Sequence, residues 1–356
     1  MELKYMRIKL LLEVIFLCIS FSAFSCKSST EPESKNAPPD STSQDFTFEV
    51  KRFGLSNLSS SIFFDVWLFD ENNIWAVGDV TLQDTSEPVN GKEYNIMQWN
   101  GKEWKGRGKL FNSAGIHGIW ALDTGRVYMS PGIALVYKRG EYKWADFSKM
   151  GFENWQSMDR IWASSEDNVW GVGRGGIVMH FDGQEWKRIN FDQQWYFYSI
   201  TGSKTTGVSY ALALNTQYQT KIVKLQNSKA EVIYTSQSQN TEFNGWTLTL
   251  ANEKELFIGN GPIWKFNVET KAMQVVFTPS PTTGFVSSFA VSPKDIYFYG
   301  FNEISDVLVH YNGKRFKEFA LPGRSDNPEG IKAATNIAAA VSFAGNQAQI
   351  ITIKRR

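Results

Sequence analysis

The sequence predicts an all-β fold, a seven-bladed β-propeller of four-stranded antiparallel blades, and three observations predict it. Aromatic residues make up 15% of the 356 residues, with 13 Trp, and large stiff rings suit the half-buried faces of pleated sheets. Three passages superpose: DVWLFDENNIWAVGD from Asp65, GIWALDTGRVYMSPG from Gly118 and RIWASSEDNVWGVGR from Arg160. In each, a Trp (Trp67, Trp120, Trp162) is followed eight residues later by an aromatic (Trp75, Tyr128, Trp170). A third signal recurs in IMQWNGKEW, VMHFDGQEW and LVHYNGKRF, where alternating apolar residues lead into Asn-Gly or Asp-Gly and an aromatic follows (Trp104, Trp186, Phe316).

Each piece has a local reason. Alternation of apolar and polar residues marks a half-buried strand. Asn-Gly and Asp-Gly favour the type I′ hairpin, whose two central residues both need positive φ. One unit is therefore four short strands, and four strands repeated about every 40 residues are the mark of a propeller blade. Units begin near Ile62, Gly115, Gln156, Trp195, Gly245, Gly284 and Ile331. The fourth and fifth are degenerate, although Phe257 holds the second-strand aromatic place. The sixth is clearer, with Phe289 and Tyr297 at the repeat spacing. The seventh supplies three strands before the chain ends. The strand FTFEVKRF, Phe46–Phe53, precedes the first unit and is expected to complete the seventh, closing the ring and removing open sheet edges. Six blades with an extra hairpin is the competing count.

The start of the chain is expected to be an address. Lys4, Arg7 and Lys9 precede an apolar run from Leu10 to Ala23, and small residues lead to Cys26. This is the pattern of a secretory signal. Residues 27–44, KSSTEPESKNAPPDSTSQ, contain no apolar residue larger than alanine, so they are expected to form a flexible tether. The propeller is placed at 45–356.

Two resemblances carry these readings further. Residues 1–26 resemble a bacterial lipoprotein signal, with Ala23-Phe24-Ser25-Cys26 at the lipidation box. That implies acylation of Cys26 and a lipid-anchored protein of the bacterial cell envelope, at the outer membrane by analogy. Residues 46–354 resemble bacterial extracytoplasmic seven-bladed propellers with W-A-V-G and D/N-G-x-x-W repeats, loosely akin to kelch and WD propellers.

Composition and motifs exclude several functions. Lys+Arg is 37 and Asp+Glu 36, a net charge of +1, so no nucleic-acid partner is expected. The only cysteines are Cys18 and Cys26, which leaves no disulfide framework. Gly171, Gly173, Gly175 and Gly176 look like a phosphate loop, but a strand follows where such a loop needs a helix. His180 and His310 hold one repeat position, taken by Gln98 in the first unit, and equivalent positions in different blades lie too far apart to share a metal. No metal and no cofactor are expected. Trp67, Trp120 and Trp162 are read as packing between adjacent sheets. No nucleophile elbow is present.

A ligand site, if present, belongs on the face where outer strands hand over to the next inner strand and second strands to third. That face receives Asp65, His117, Asp159 and Arg160 at inner-strand starts, Asp79 and Arg174 at second-strand ends, and Trp155 and Trp195 in loops, together with the insertion VTLQDTSEPVNGKE. Aromatics beside a few charges suit recognition of protein or glycan. The candidate ligand-binding residues are His117, Asp159, Arg160, Arg174, Trp155 and Trp195. The expected function is a non-enzymatic binding or scaffolding module for a cell-envelope protein or glycan. The alternative is a polysaccharide-active or glycosyl-transfer enzyme at the channel mouth, which would be marked by two converging carboxylates.

Overall fold

The computed structural model of the protein describes residues 41–55, 60–83, 91–108, 110, 115–147, 149–236 and 245–356. The expected signal, Cys26 and most of the expected tether lie outside these residues.

Seven four-stranded antiparallel sheets form the blades. After β1 (Phe46–Phe53), blade 1 is β2–β5 (Ile62–Asp70, Asn73–Leu82, Lys92–Trp99, Trp104–Gly106). Blade 2 is β6–β9 (Ile119–Asp123, Arg126–Met129, Leu135–Lys138, Glu141–Trp144), and blade 3 is β10–β13 (Ser157–Ser165, Asn168–Arg174, Val178–Phe181, Trp186–Arg188). Blade 4 is β14–β17 (Tyr196–Gly202, Ser209–Leu214, Thr220–Gln226, Lys229–Thr235), and blade 5 is β18–β21 (Thr247–Asn252, Glu255–Gly259, Ile263–Asn267, Met273–Phe277). Blade 6 is β22–β25 (Gly284–Ser292, Asp295–Phe301, Asp306–Tyr311, Phe316–Ala320), and blade 7 begins with β26–β28 (Asn327–Ala334, Ile337–Ala344, Gln347–Arg355).

Ring closure is as the repeat predicts. Strand β1 is the outer strand of blade 7, paired with β28 from Phe46↔Arg355 to Phe53↔Ala348. The strands therefore form seven blades, and among the described residues there is no spare hairpin. Docking begins before β1: Gln44 is buried and its amide donates to the His310 carbonyl at 2.8 Å, while Thr42 donates its hydroxyl to the Lys294 carbonyl at 3.1 Å. Composition alone assigns these two residues to the tether, yet both belong to the folded body, because polar residues that bond a neighbouring blade need no apolar bulk.

The apolar residues are sorted between sheets. One cluster runs through blades 1 to 4 and includes Trp67, Trp120 and Trp162; others join blade 7 to blade 1, blade 6 to 7, blade 4 to 5 and blade 5 to 6. Trp67 and Trp120 pack with ring centroids 4.6 Å apart, and Trp120 and Trp162 at 6.0 Å. The repeated Trp is thus packing, as expected. Trp67 and Trp120 also line the end of the axial cavity.

Two local expectations change. The Asx-Gly hairpins are not type I′. Gly101, Gly183 and Gly313 have φ of 88°, 93° and 92°, while Asn100, Asp182 and Asn312 keep negative φ. Glycine holds the first of two central positions, as in a type II′ turn. The preceding side chain explains the choice: Asp182 Oδ1 accepts the Gln184 and Glu185 N–H groups at 3.1 Å each, and Asn100 and Asn312 do the same two and three residues on. Positive φ at both central residues occurs instead at Arg139-Gly140 and Asn227-Ser228. The insertion after Asp79 begins not as loop but as an extended β3–β4 hairpin, with Val80↔Tyr94 and Leu82↔Lys92 paired after a bulge.

Candidate functional site

Five inner strands bulge at the same end of the axis. Register skips one residue at Phe64 in β2, Asp159 in β10, Tyr198 in β14 and Val286 in β22, and two at Glu329 and Gly330 in β26. A bulge re-aims a side chain out of strict alternation. Here Phe64, Tyr198, Val286 and Glu329 turn to line one axial cavity of about 390 Å³.

The bulge also explains the final glycine of the repeat. A Cβ on Gly78, Gly173 or Gly300 would lie 2.0, 2.1 or 1.8 Å from the carbonyl oxygen of Ile62, Ser157 or Gly284. The bulged inner strand leaves no room for a side chain there. In the sequence these glycines look like turn residues, whereas in the fold they accommodate the bulges that shape the mouth.

Around that mouth, each blade is tied to the next by a polar side chain of an inner strand. Lys332 Nζ donates to Asp65 Oδ1 at 3.0 Å, joining blade 7 to blade 1, and Asp65 Oδ2 accepts the Ile119 N–H of blade 2 at 3.1 Å. Arg160 donates to the His117 carbonyl of blade 2 at 2.9 Å and, through Nε, to the Tyr198 carbonyl of blade 4 at 3.2 Å. Ser199 Oγ accepts the Leu248 N–H at 3.2 Å, Thr247 and Ser288 hydroxyls meet at 2.7 Å, and Ser287 Oγ accepts the Ile331 N–H at 3.1 Å. The ring of bonds passes every blade joint. Lys332 and Asp65 neutralise one another, and each of the other bonds satisfies a backbone or hydroxyl group that burial would otherwise leave without a partner.

These contacts divide the six sequence candidates. His117, Asp159, Arg160 and Arg174 are brought together at blades 2 to 4. The His117 ring stacks on Phe64, 4.4 Å between centroids. The Arg174 guanidinium lies 5.4 Å over the Tyr196 ring, and burial, helped by the nearby Asp159 carboxylate, pushes the Tyr196 hydroxyl up to about 12. Asp159 is buried, and its Oδ2 has no partner. Burial, more than the opposing pull of Asp159, lowers the His117 pKa, with Arg160 and Arg174 adding to the effect. Arg160 is a tie between blades as much as a site residue. Trp155 is 50% exposed, its ring over Gly175. Trp195 is only 5% exposed and is capped by Lys221 Nζ at 3.9 Å from the ring centroid. It packs into the first core cluster and offers no open face, a correction to its expected place as a loop anchor.

Three mouth residues escape sequence reasoning. Tyr196 and Tyr198 lie within an aromatic run whose alternation hides which ring is bulged. Glu329 lies in Asn-Pro-Glu-Gly, which reads as a turn, although β26 already begins at Asn327. Burial pushes the Glu329 carboxyl up to about 7, against the influence of Arg160 and with that of Asp65. The local signal that could have found it is the Pro-x-Gly break just before the seventh unit's inner strand, at the place where other units bulge.

The histidines at the repeated third-strand position serve the blades. Gln98 donates to Asn73 Oδ1 at 2.9 Å, His180 Nε2 meets Asn168 Oδ1 at 2.9 Å, His310 Nε2 meets Asp295 Oδ1 at 2.7 Å, and Lys265 pairs with Glu255 at 3.0 Å. The acceptor at the head of the second strand also takes the indole N–H of Trp75 or Trp170. Sequence comparison shows the repeated histidine but not its partner, because the partner varies among Asn, Asp and Glu. Among the described residues, no group of three or more His, Cys, Asp or Glu side chains could hold a metal.

No protein-family model and no curated protein matches the sequence. Solved structures do match. "YCF48 bound to D1 peptide" aligns with 86% of this chain and 96% of its own at 12% identity, TM-score 0.62. The WD40 propeller domain of Doa1 aligns with 88% and 98% at 10% identity, TM-score 0.60. The propeller domain of Cps50 (Swd1) from Myceliophteria thermophila aligns with 85% and 99% at 12% identity, TM-score 0.56. At such identities the likeness shows the fold, and the fold is a seven-bladed β-propeller.

Proposed function

We propose that this protein is a lipid-anchored, extracytoplasmic, non-enzymatic binding module that holds a polypeptide segment of a partner protein across the bulged face of its propeller. One observation carries the reading. Of the exposed large hydrophobics among the described residues, Val232 and Val275 lie on outer strands. The other five, Trp144, Trp155, Tyr218, Phe301 and Ile304, lie in or lead into connections of the bulged face, and none lies on the opposite face. Exposed apolar side chains gathered on one face, rimmed by polar groups, fit a protein partner. Propellers lend themselves to protein binding, and YCF48, similar in fold, has been solved with a peptide. An enzymatic reading has less support. Asp65 and Glu329 both line the mouth, but the Asp65 oxygens are already held by the Val66 and Ile119 N–H groups and by Lys332. Hydrolysis of a glycoside needs two carboxylates free to act.

Selection of displayed peptides on the full chain, with a glycan array in parallel, tests the face. Replacing Trp155, Tyr218 and Ile304 together by Ser is expected to weaken the selected peptides by at least about tenfold, while exposed substitutions stay within about 0.5 kcal/mol of stability each. Trp195→Ala is expected to cost about 3–5 kcal/mol as a buried ring. Peptides that bind the triple variant as well as the parent, or binding of glycans alone, would overturn the reading.

The anchor rests on the lipoprotein-like box at Cys26. Expressed in a bacterial host, Cys26→Ala is expected to move the protein from the membrane fraction to the soluble fraction. Full membrane association of the variant would count against acylation at this residue.

A further inference from the structure

Among the described residues, two carboxylates line the cavity of the channel mouth, Asp65 and Glu329, and they differ in their partners. Lys332 is held by Asp65 at 3.0 Å. Arg160 directs its guanidinium to the carbonyl oxygens of His117, Asp159 and Tyr198 at 2.9, 3.3 and 3.2 Å, and its charge is felt by Tyr196, Asp65, Glu329 and Asp159, in that order. Glu329, from β26, faces Arg160 of β10 and Asp65 of β2 electrostatically. Among the described residues it has no cation in ion-pair contact, and its hydrogen-bond partner is the neutral amide of Asn327. It lines the 390 Å³ cavity together with Tyr198, Thr247, Ser287 and Ser288, whose oxygens add acceptor capacity to the same walls.

A carboxylate drawn out of water without a counter-ion is costly, and a cation brought to it recovers that cost. Arg160 and Lys332 cannot move to Glu329 without breaking the ties between blades, and Lys204, the third cation lining the cavity, is set over the Trp120 ring at 5.8 Å. The missing charge has to come from outside. We propose that the channel mouth receives one basic side chain, lysine or arginine, of the bound polypeptide, with Glu329 as its counter-ion. The proposal rests on the reading of the bulged face as a polypeptide-binding surface and adds the chemistry of its central pocket. The partly exposed rings of Tyr198 and Phe289 lie along the path of such a side chain and suit its aliphatic stem.

Proton competition gives the proposal a distinctive readout. Glu329 titrates near 7 in the free protein, so a cation that needs the carboxylate binds fully above that value and loses about tenfold in affinity per unit of pH below it. Asp65 is already ion-paired, and His117, its pKa lowered by burial, is neutral at the upper end of the range; the charge it gains on further acidification is separated from that of Glu329 by the Glu329→Gln variant, which keeps the ring.

The test uses the full chain and acetylated, amidated tripeptides Gly-Arg-Gly, Gly-Lys-Gly, Gly-Gln-Gly and Gly-Glu-Gly as probes, followed by NMR titration well above and well below neutral pH. The basic tripeptides are expected to bind at high pH, the glutamine and glutamate ones not, and the binding to fade on acidification. Glu329→Gln, close to isosteric, is expected to abolish the preference and the pH slope while keeping the wild-type melting temperature. Binding of the basic probes that is unchanged in Glu329→Gln, a preference for the glutamate probe, or no binding of either basic probe at millimolar concentration overturns the proposal. Loss of melting temperature in the variant shifts the reading to the wild-type pH slope, whose absence overturns it equally. A protein that binds selected peptides through Trp155, Tyr218 and Ile304 yet shows no charge preference loses this inference and keeps the face. Binding of the basic probes by the triple Ser variant leaves the pocket standing without the face.

Discussion

Removal of residues 41–53 is expected to convert a cooperatively melting protein into associating, partly folded chains. The deleted stretch holds the eight-residue pairing of β1 with β28. It also carries Phe53, buried against Phe63 and Trp104 with ring centroids 5.5 Å away from each, and Phe46, which packs on Phe319 and His310. Loss of one buried phenylalanine alone costs about 3–5 kcal/mol, against a total stability of about 5–15 kcal/mol for an ordinary domain. The same deletion bares the row of backbone donors and acceptors on β28, an edge that invites strand pairing with another chain. Light scattering and thermal melting check the outcome. A monomer that still melts within a few degrees of the full chain would show that the ring does not depend on its closing strand.

Asp295→Ala is expected to cost about 3–5 kcal/mol, the usual consequence of removing one partner from a buried pair. Asp295 is 3% exposed and holds two donors, His310 Nε2 at 2.7 Å and Arg355 Nη2 at 2.5 Å. Arg355 also reaches the Tyr297 hydroxyl at 2.7 Å, so the triad fastens blade 6 to the last strand of the chain. Without the carboxylate, a guanidinium and an imidazole remain buried with unmet donors. Asp295→Asn, which keeps one acceptor oxygen, is expected to lose less.

The same network gives the pH dependence. Burial opposes ionisation of Asp295, but the hydrogen bonds from His310 and Arg355 and the Arg355 charge outweigh it, so its pKa lies below the usual aspartate value. Its contribution is present at neutral pH and is lost as pH falls through that lowered value. His310, His180 and His117 are all lowered from 6.5, with burial the largest cause in each. The unfolded chain therefore takes up protons first, and stability falls as pH drops below about 6.5. Glu329, raised to about 7 by burial, acts in the opposite sense and gains stability on acidification, so the histidine effect is read in Glu329→Gln, whose urea midpoints across pH 8 to 5 are expected to decline below that point. Midpoints that stay level would contradict the buried, neutral state of these rings.

How far the sequence reached can be seen in single residues. Trp67, Trp120 and Trp162 were legible as blade packing, because a ring recurring at one strand position has one environment. The closing role of Phe46–Phe53 was legible from counting, since a seventh unit with three strands needs a fourth. The mouth was legible only in part. His117, Asp159, Arg160 and Arg174 do converge, because the repeat assigns each to one end of the axis. Trp195 was misplaced because a loop position does not say whether a ring turns outward or down onto the blade under Lys221. Glu329 and Tyr198 were missed because a bulge shifts one residue out of alternation, and nothing in the residue itself announces the shift. The clue lay across the hairpin, in Gly78, Gly173 and Gly300, where the bulged backbone leaves no room for a Cβ.

By itself, then, the sequence determined the kind of unit and its repeat, since these depend on periodicity and turn chemistry within about 40 residues, whereas the pairing of β1 with β28 decided seven blades over six. Only the tertiary structure decided which polar side chains staple neighbouring blades and which are left facing the channel. Asp65 and Arg160 look no different from Glu329 in the chain. They differ because their partners, Ile119, Lys332, His117 and Tyr198, lie on other blades, whereas Glu329 is turned by its bulge toward the cavity and, among the described residues, has no cation in ion-pair contact.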